Sequence, residues 1–236
     1  NAWNILGQDY VTLVPNGNGF IFVNSNLIIA DKWAIIATNS FGKVASGDQR
    51  LTFFSDECRE IRVPMGAELD LSTFDGGSAD YAQKIEFAGK VKLVIESGAS
   101  IRFPASPDFY PVMYFNDESE LIFEEHSHRD EETWTTYDGT EAVRSKILGR
   151  GQIWLNKYAK MKINGYSFVG IQSDDTTVTT SITLSVARQG ELTLGDENVA
   201  GGTLQVGNPV AISSGEVHFT LATQDPRALV KINRDG

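Results

Sequence analysis

The residues best suited to chemistry are concentrated in one charged stretch, Glu124-Glu125-His126-Ser127-His128-Arg129-Asp130-Glu131-Glu132, which holds two of the three histidines. His126 and His128, two apart on an extended segment, fall on one side of it, a spacing that can chelate a transition metal when carboxylates complete the shell. No third histidine lies nearby and no residue can be named that would orient the rings, so the stretch reads as a solvated charged loop and no metal is assigned. Trp134 and Tyr137 follow in the same segment. Each offers a large apolar face with a polar tip, the chemistry of a contact with a sugar ring or a protein surface. The candidate binding residues are therefore Trp134, Tyr137, His126 and His128.

Reaction chemistry is harder to assemble. Glycosidic cleavage needs two carboxyl groups at a set separation across a cleft, one with a raised pKa. Asp174, Asp175, Glu124 and Asp138 could be drawn into such a pair, but adjacency in a chain of 31 acids does not create that geometry. No Gly-x-Ser-x-Gly elbow is present, and the glycine pairs lack the Gly-Lys-Ser/Thr ending of a phosphate loop. Asp75-Gly76-Gly77 has the composition of one calcium-repeat copy, but without a nonapeptide series it reads as a turn. No catalytic residue and no cofactor are assigned. Cys58 is the only cysteine, which excludes an internal disulfide.

The elements that must position these residues are written most clearly in Val91 to Pro104, VKLVIESGASIRFP. Leu93, Ile95, Ile101 and Phe103 alternate with polar positions, and the alternation resumes in phase after the small pair Gly98-Ala99. That is two short strands meeting at a bend. Apolar offsets of 0, +2, +8 and +10 recur from Ile61, Met113, Ile153 and Leu184, and more weakly from Leu27.

An isolated strand-bend-strand cannot bury its one apolar row, whereas stacked copies make a continuous core and satisfy the backbone groups between them. The pattern predicts an all-β parallel β-helix, a β-solenoid with side-loop insertions, in preference to an antiparallel β-sandwich. The strong copies are spaced by 32, 20, 40 and 31 residues, and the shortest step suggests a coil of about twenty residues with longer coils carrying loops. Seven to nine coils at about 4.8 Å each would give a rod of about 35–45 Å. On this reading residues 1–236 form one elongated domain, with 1–20 as an N-terminal cap and 124–145 as a projecting insertion. The chain opens at Asn1 without methionine and ends polar at Asn233-Arg234-Asp235-Gly236, so a processed protein or a piece of a longer one is expected.

Composition narrows the partners. A formal net charge of −11 repels phosphate backbones and anionic lipid surfaces, and no basic stripe is visible, so nucleic acid is not expected. No segment reaches the ~18 uninterrupted apolar residues of a membrane span. The absence of any Asn-x-Ser/Thr acceptor favours a bacterial or viral origin.

The segments LVIESGASIRF, IRVPMGAELDL and ITLSVARQGELTL make the chain resemble the β-helical stalks of bacterial surface adhesins and autotransporter passengers. That resemblance implies a secreted or surface-exposed structural protein, extracellular or on a virion. Its work would be to bind a glycan or a host or bacterial surface protein through side loops. A carbohydrate-active β-helix, such as a tail spike or a polysaccharide lyase or hydrolase, and a self-assembling surface-layer or fibre subunit are the alternatives.

Overall fold

Alternation of apolar and polar residues builds a parallel β-solenoid with three faces. The structure, a computed structural model, describes residues 4–6, 11–12, 19–29, 32–36, 49–72, 83–105, 110–124, 145–164, 168–171, 180–186, 190–194, 203–206, 215–221 and 229–232. Strands β1 (Asn4–Leu6) and β2 (Val11–Thr12) precede a first coil of β3 (Gly19–Phe22), β4 (Leu27–Ile29) and β5 (Lys32–Ile36). The second coil is β6 (Gln49–Val63) and β7 (Glu68–Asp70), and the third is β8 (Gln83–Ile95) and β9 (Ser100–Arg102). The fourth is β10 (Val112–Phe115), β11 (Glu120–Phe123) and β12 (Ser145–Leu148), and the fifth β13 (Arg150–Leu155), β14 (Lys160–Ile163) and β15 (Phe168–Ile171). The sixth is β16 (Thr180–Val186), β17 (Glu191–Leu194) and β18 (Thr203–Val206), followed by β19 (Gly215–Leu221) and β20 (Leu229–Ile232).

Every strand pairs in parallel with its counterpart one coil away, which excludes the antiparallel sandwich. The first face runs β3, β6, β8, β10, β13, β16, β19. The second runs β1, β4, β6, β8, β11, β14, β17, β20, and the third β2, β5, β7, β9, β12, β15, β18. The long strands β6 and β8 serve the first face with their first half and the second face with their second. In β6 the change of face coincides with an irregularity between Ser55 and Arg59, where Asp56, Glu57 and Cys58 are exposed.

The register corrects the coil length read from the sequence. Leu93 lies over Leu121, not over Met113, and Met113 lies instead between Ile85 and Ile153. Along the second face Ile61, Leu93, Leu121, Met161 and Leu192 are partners, so the coils are 32, 28, 40 and 31 residues long. The apparent step of 20 compares two different corners. The copies at Ile61 and Leu93 turn from the second face to the third, whereas those at Met113, Ile153 and Leu184 turn from the first to the second. The same register places Leu204 on the third face beside Val169 and Gly215–Phe219 over Thr180–Leu184.

Both corners are cut the same way, which is why one template fits both. The turn closes by a hydrogen bond from the fourth residue's amide to the first residue's carbonyl. Ala67 donates to Pro64 (2.9 Å), Ala99 to Glu96 (3.0 Å), Ser119 to Asn116 (3.2 Å) and Ala159 to Asn156 (3.0 Å). The fourth residue then points into the apex of the coil, where only a small side chain fits; all four are buried. Its carbonyl accepts from the next coil, as in Lys160 N to Ser119 O and Glu191 N to Ala159 O, both 3.0 Å, so the corners stack as well as the faces.

Inside, each register column is a column of side chains. Leu51, Ile85, Met113, Ile153 and Leu184 form one, and Phe53, Phe87, Phe115, Leu155 and Val186 the next. The three phenyl rings stack, with centroids 5.3 Å apart between Phe53 and Phe87 and 5.0 Å between Phe87 and Phe115. All ten side chains are buried in a core that also takes in both columns of the second face.

Candidate binding surface

The residues between these buried positions form the outer surface of the first face. Alternation turns Thr52, Glu86, Tyr114, Trp154 and Ser185 outward, and the register sets them in one row across coils two to six. A second row, towards the strand starts, holds Arg50, Lys84, Val112, Gln152 and Thr183. Asn116 and Asn156 follow their strands at the corner.

Tyr114 and Trp154 meet edge to face, with centroids 5.5 Å apart and planes at 60°. Both are half-buried, and the Trp154 indole N–H donates to Gln152 Oε1 at 2.9 Å, which fixes the ring in place. Glu86, beside Tyr114, is held at both oxygens. Thr52 Oγ1 donates to Oε2 at 2.9 Å, the Asn116 amide donates to Oε1, and Arg50 Nη1 stands 3.4 Å from Oε2. The result is a rigid aromatic pair edged by amides, with a carboxylate already engaged. Such a surface can hold a ring by stacking and hydrogen bonding. Among the described residues of these two rows Glu86 is the only carboxylate.

At the near corner, Lys157 and Tyr158 follow Trp154's strand with φ of 48° and 25°, a left-handed backbone that side chains other than glycine, asparagine and aspartate seldom adopt. Tyr158 is 56% exposed, so this corner presents a third aromatic ring to solvent on the same coil.

The second face is different in kind. Its outward row alternates Glu60, Lys92, Glu120, Lys160 and Glu191, and Lys162 Nζ donates to Glu120 at 2.7 Å. Arg62 ties three coils together: it donates to Glu60 (3.2 Å), Glu96 (3.0 Å) and, through both terminal nitrogens, Glu124. The hydrogen bonds that Arg62 donates to Glu124, working against desolvation and aided by Glu96 and Glu60, hold the guanidinium's pKa above its ordinary value. Glu124, considered above for acid catalysis, is thus a salt-bridge partner.

His126, His128, Trp134 and Tyr137 lie outside the described residues, as do Asp138, Asp174, Asp175 and Asp75-Gly76-Gly77. The described residues contain no cluster of three or more His, Cys, Asp or Glu able to hold a metal. Tyr114 and Trp154 went unremarked in the sequence, yet a signal was there. Both sit one residue after the start of their template copy, where the other copies carry Arg62, Val94 and Ser185. Comparison with family models, with curated proteins and with solved structures returns no match to this chain.

Proposed function

We propose that this chain is a secreted or cell-surface structural and adhesive β-solenoid, bacterial or carried on a virion, that binds a glycan through the outer surface of its first face. The observation that carries the reading is the Tyr114–Trp154 pair: two aromatic rings partly open to solvent, one of them locked by Gln152, on a wall of parallel strands. The pair lies on the side of the strands opposite the buried Met113, Phe115, Ile153 and Leu155. Sugar rings present the flat C–H faces that such rings take up, and their hydroxyls match Gln152, Asn116 and Asn156.

Binding is favoured over cleavage because Glu86 is engaged at both oxygens and Glu60, Glu96 and Glu124 share Arg62. The test is a panel of bacterial and host polysaccharides, with binding and product release recorded together. Trp154→Ala should weaken binding at least about tenfold, as loss of a central aromatic anchor does, with no released oligosaccharide from either protein. A variant lacking residues 126–140 measures how much Trp134, Tyr137, His126 and His128 add. Released products would favour the carbohydrate-active alternative. Unchanged binding by Trp154→Ala would remove the first face from the account.

A further inference from the structure

Exposed rings flank the Tyr114–Trp154 pair on both sides. Tyr110 stands four residues before Tyr114 on coil four and is 40% exposed. The chain is already in step with coil five there, since the Gln152 amide donates to the Pro111 carbonyl at 2.9 Å. Tyr158, also exposed, stands four residues after Trp154 on coil five. Four residues of fully extended chain span at most about 14 Å, so the backbone of each outer ring lies within that distance of the central pair. One outer ring precedes the start of β10 and the other follows the end of β13, so the rings are set out across the rod, along the strands.

Along the rod axis the rings do not continue. The register neighbours of Tyr114 and Trp154 are Glu86 on coil three and Ser185 on coil six, and Ser185 is buried. Phe22 and Phe54, edge to face with centroids 6.1 Å apart, belong to coils one and two, with Glu86 and Ala88 of coil three between them and Tyr114. Tyr158 also stands where the turn favours glycine. It is the third residue of its corner, and the same place in two other corners is held by Gly66 and Gly98, with φ of +78° and +77°. A tyrosine at φ +25° costs backbone strain, and an exposed ring recovers little of that cost through packing. The neighbouring Lys157 is tied to Asp117 of coil four at 3.2 Å, and the Ala159 amide closes the turn on Asn156, so the corner is held without the ring.

We propose that Tyr110 and Tyr158 are outer subsites of the same binding surface, and that its ligand is the interior of a linear glycan laid across the rod along coils four and five. The inference rests on the glycan-binding reading above and adds the ligand's length and direction to it. A sugar stacked on the central pair carries its neighbours in the chain outwards on both sides, and a ring stands on each side to receive them. Gln152 and Asn156, two residues to either side of Trp154, fall between the central and outer rings and supply amides for the hydroxyls. Contacts joined in one chain reinforce one another through effective concentration, an advantage that a single sugar lacks. The surface therefore selects by chain length and not by the chain's end.

The experiment titrates the intact protein by calorimetry with size-graded linear oligosaccharides of glucose, of N-acetylglucosamine and of galacturonate, from the disaccharide to the longest soluble fragment of each. In a series that binds, affinity should rise at least about tenfold between the disaccharide and the longest fragment. Tyr110→Ala/Tyr158→Gly should remove that gain, so that long fragments bind no better than the disaccharide, whereas Trp154→Ala should weaken every length. Phe22→Ala should keep the gain. Affinity independent of length, with Trp154→Ala still damaging, would overturn the extended site and leave the glycan-binding reading standing. A gain kept by Tyr110→Ala/Tyr158→Gly and lost by Phe22→Ala would also overturn it, because the chain would then run along the axis. Binding of no series would overturn both readings. Glycine at 158 keeps the turn that Gly66 and Gly98 make, and the far-ultraviolet circular dichroism and melting temperature of each variant confirm that it is folded before its affinity is compared.

Discussion

Single residues divide sharply between those that hold the solenoid and those that decorate it. Phe87 is the middle ring of the Phe53–Phe87–Phe115 stack and is 1% exposed, so Phe87→Ala empties the centre of the column. The expected cost is about 3–5 kcal/mol in urea denaturation, and Phe87→Leu should recover most of it. Arg62 holds from outside. Arg62→Met leaves Glu60, Glu96 and Glu124 crowded without their cation and should cost about 1–3 kcal/mol, less at high salt. Because the folded-state pKa of Arg62 is raised, its contribution is complete at every pH below its ordinary value and fades only as pH climbs through the raised one. The stability gap between wild type and Arg62→Met should therefore stay level from neutral pH well into the alkaline range; a gap that closes there would show that the clamp is not what Arg62 provides.

Corners are the elements that decide how the strands stack, and two glycines separate their two demands. Gly89 carries β8 round its corner with φ of +69°, and a Cβ there would meet the Ser55 carbonyl oxygen at 2.1 Å. Gly66 has a similar φ of +78° with nothing within 4 Å of the added carbon. Gly66→Ala should then cost only backbone strain, about 1 kcal/mol, while Gly89→Ala must also push two coils apart and should cost several times more in thermal melts. How much of these elements was legible in the sequence follows from the same geometry. The in-and-out alternation was plain because one side of every strand is buried. The coil length was not, because the first-to-second and second-to-third corners use the same turn ending in Ala or Ser, so copies from different corners align as if they were successive coils. The contact-bearing aromatics were hidden for a related reason. Tyr114 and Trp154 stand 40 residues apart, and only the register makes them neighbours.

At the scale of the whole molecule, the protein is a stack of three-sided coils whose faces differ in what they present. The second face is laced by Arg62 and by alternating charges, the interior is filled by apolar columns, and the first face gathers aromatics, amides and cations from strands far apart in sequence. Everything proposed for binding depends on that gathering, so its most direct test is covalent. In a Cys58→Ser background, which removes the chain's only thiol, two double-cysteine proteins would be oxidised under mild conditions and the disulfide yield measured by mass spectrometry. Tyr114→Cys/Trp154→Cys places the thiols on register partners in adjacent coils, within the reach of about 4.4–6.8 Å between Cα atoms that a disulfide spans. Lys92→Cys/Val112→Cys joins positions that a 20-residue coil would stack, but here Lys92 pairs with Glu60 and Glu120 on the second face and Val112 with Lys84 and Gln152 on the first. The account predicts high cross-linking for the first protein and little for the second. The reverse would contradict the three-sided coil and dissolve the aromatic row with it.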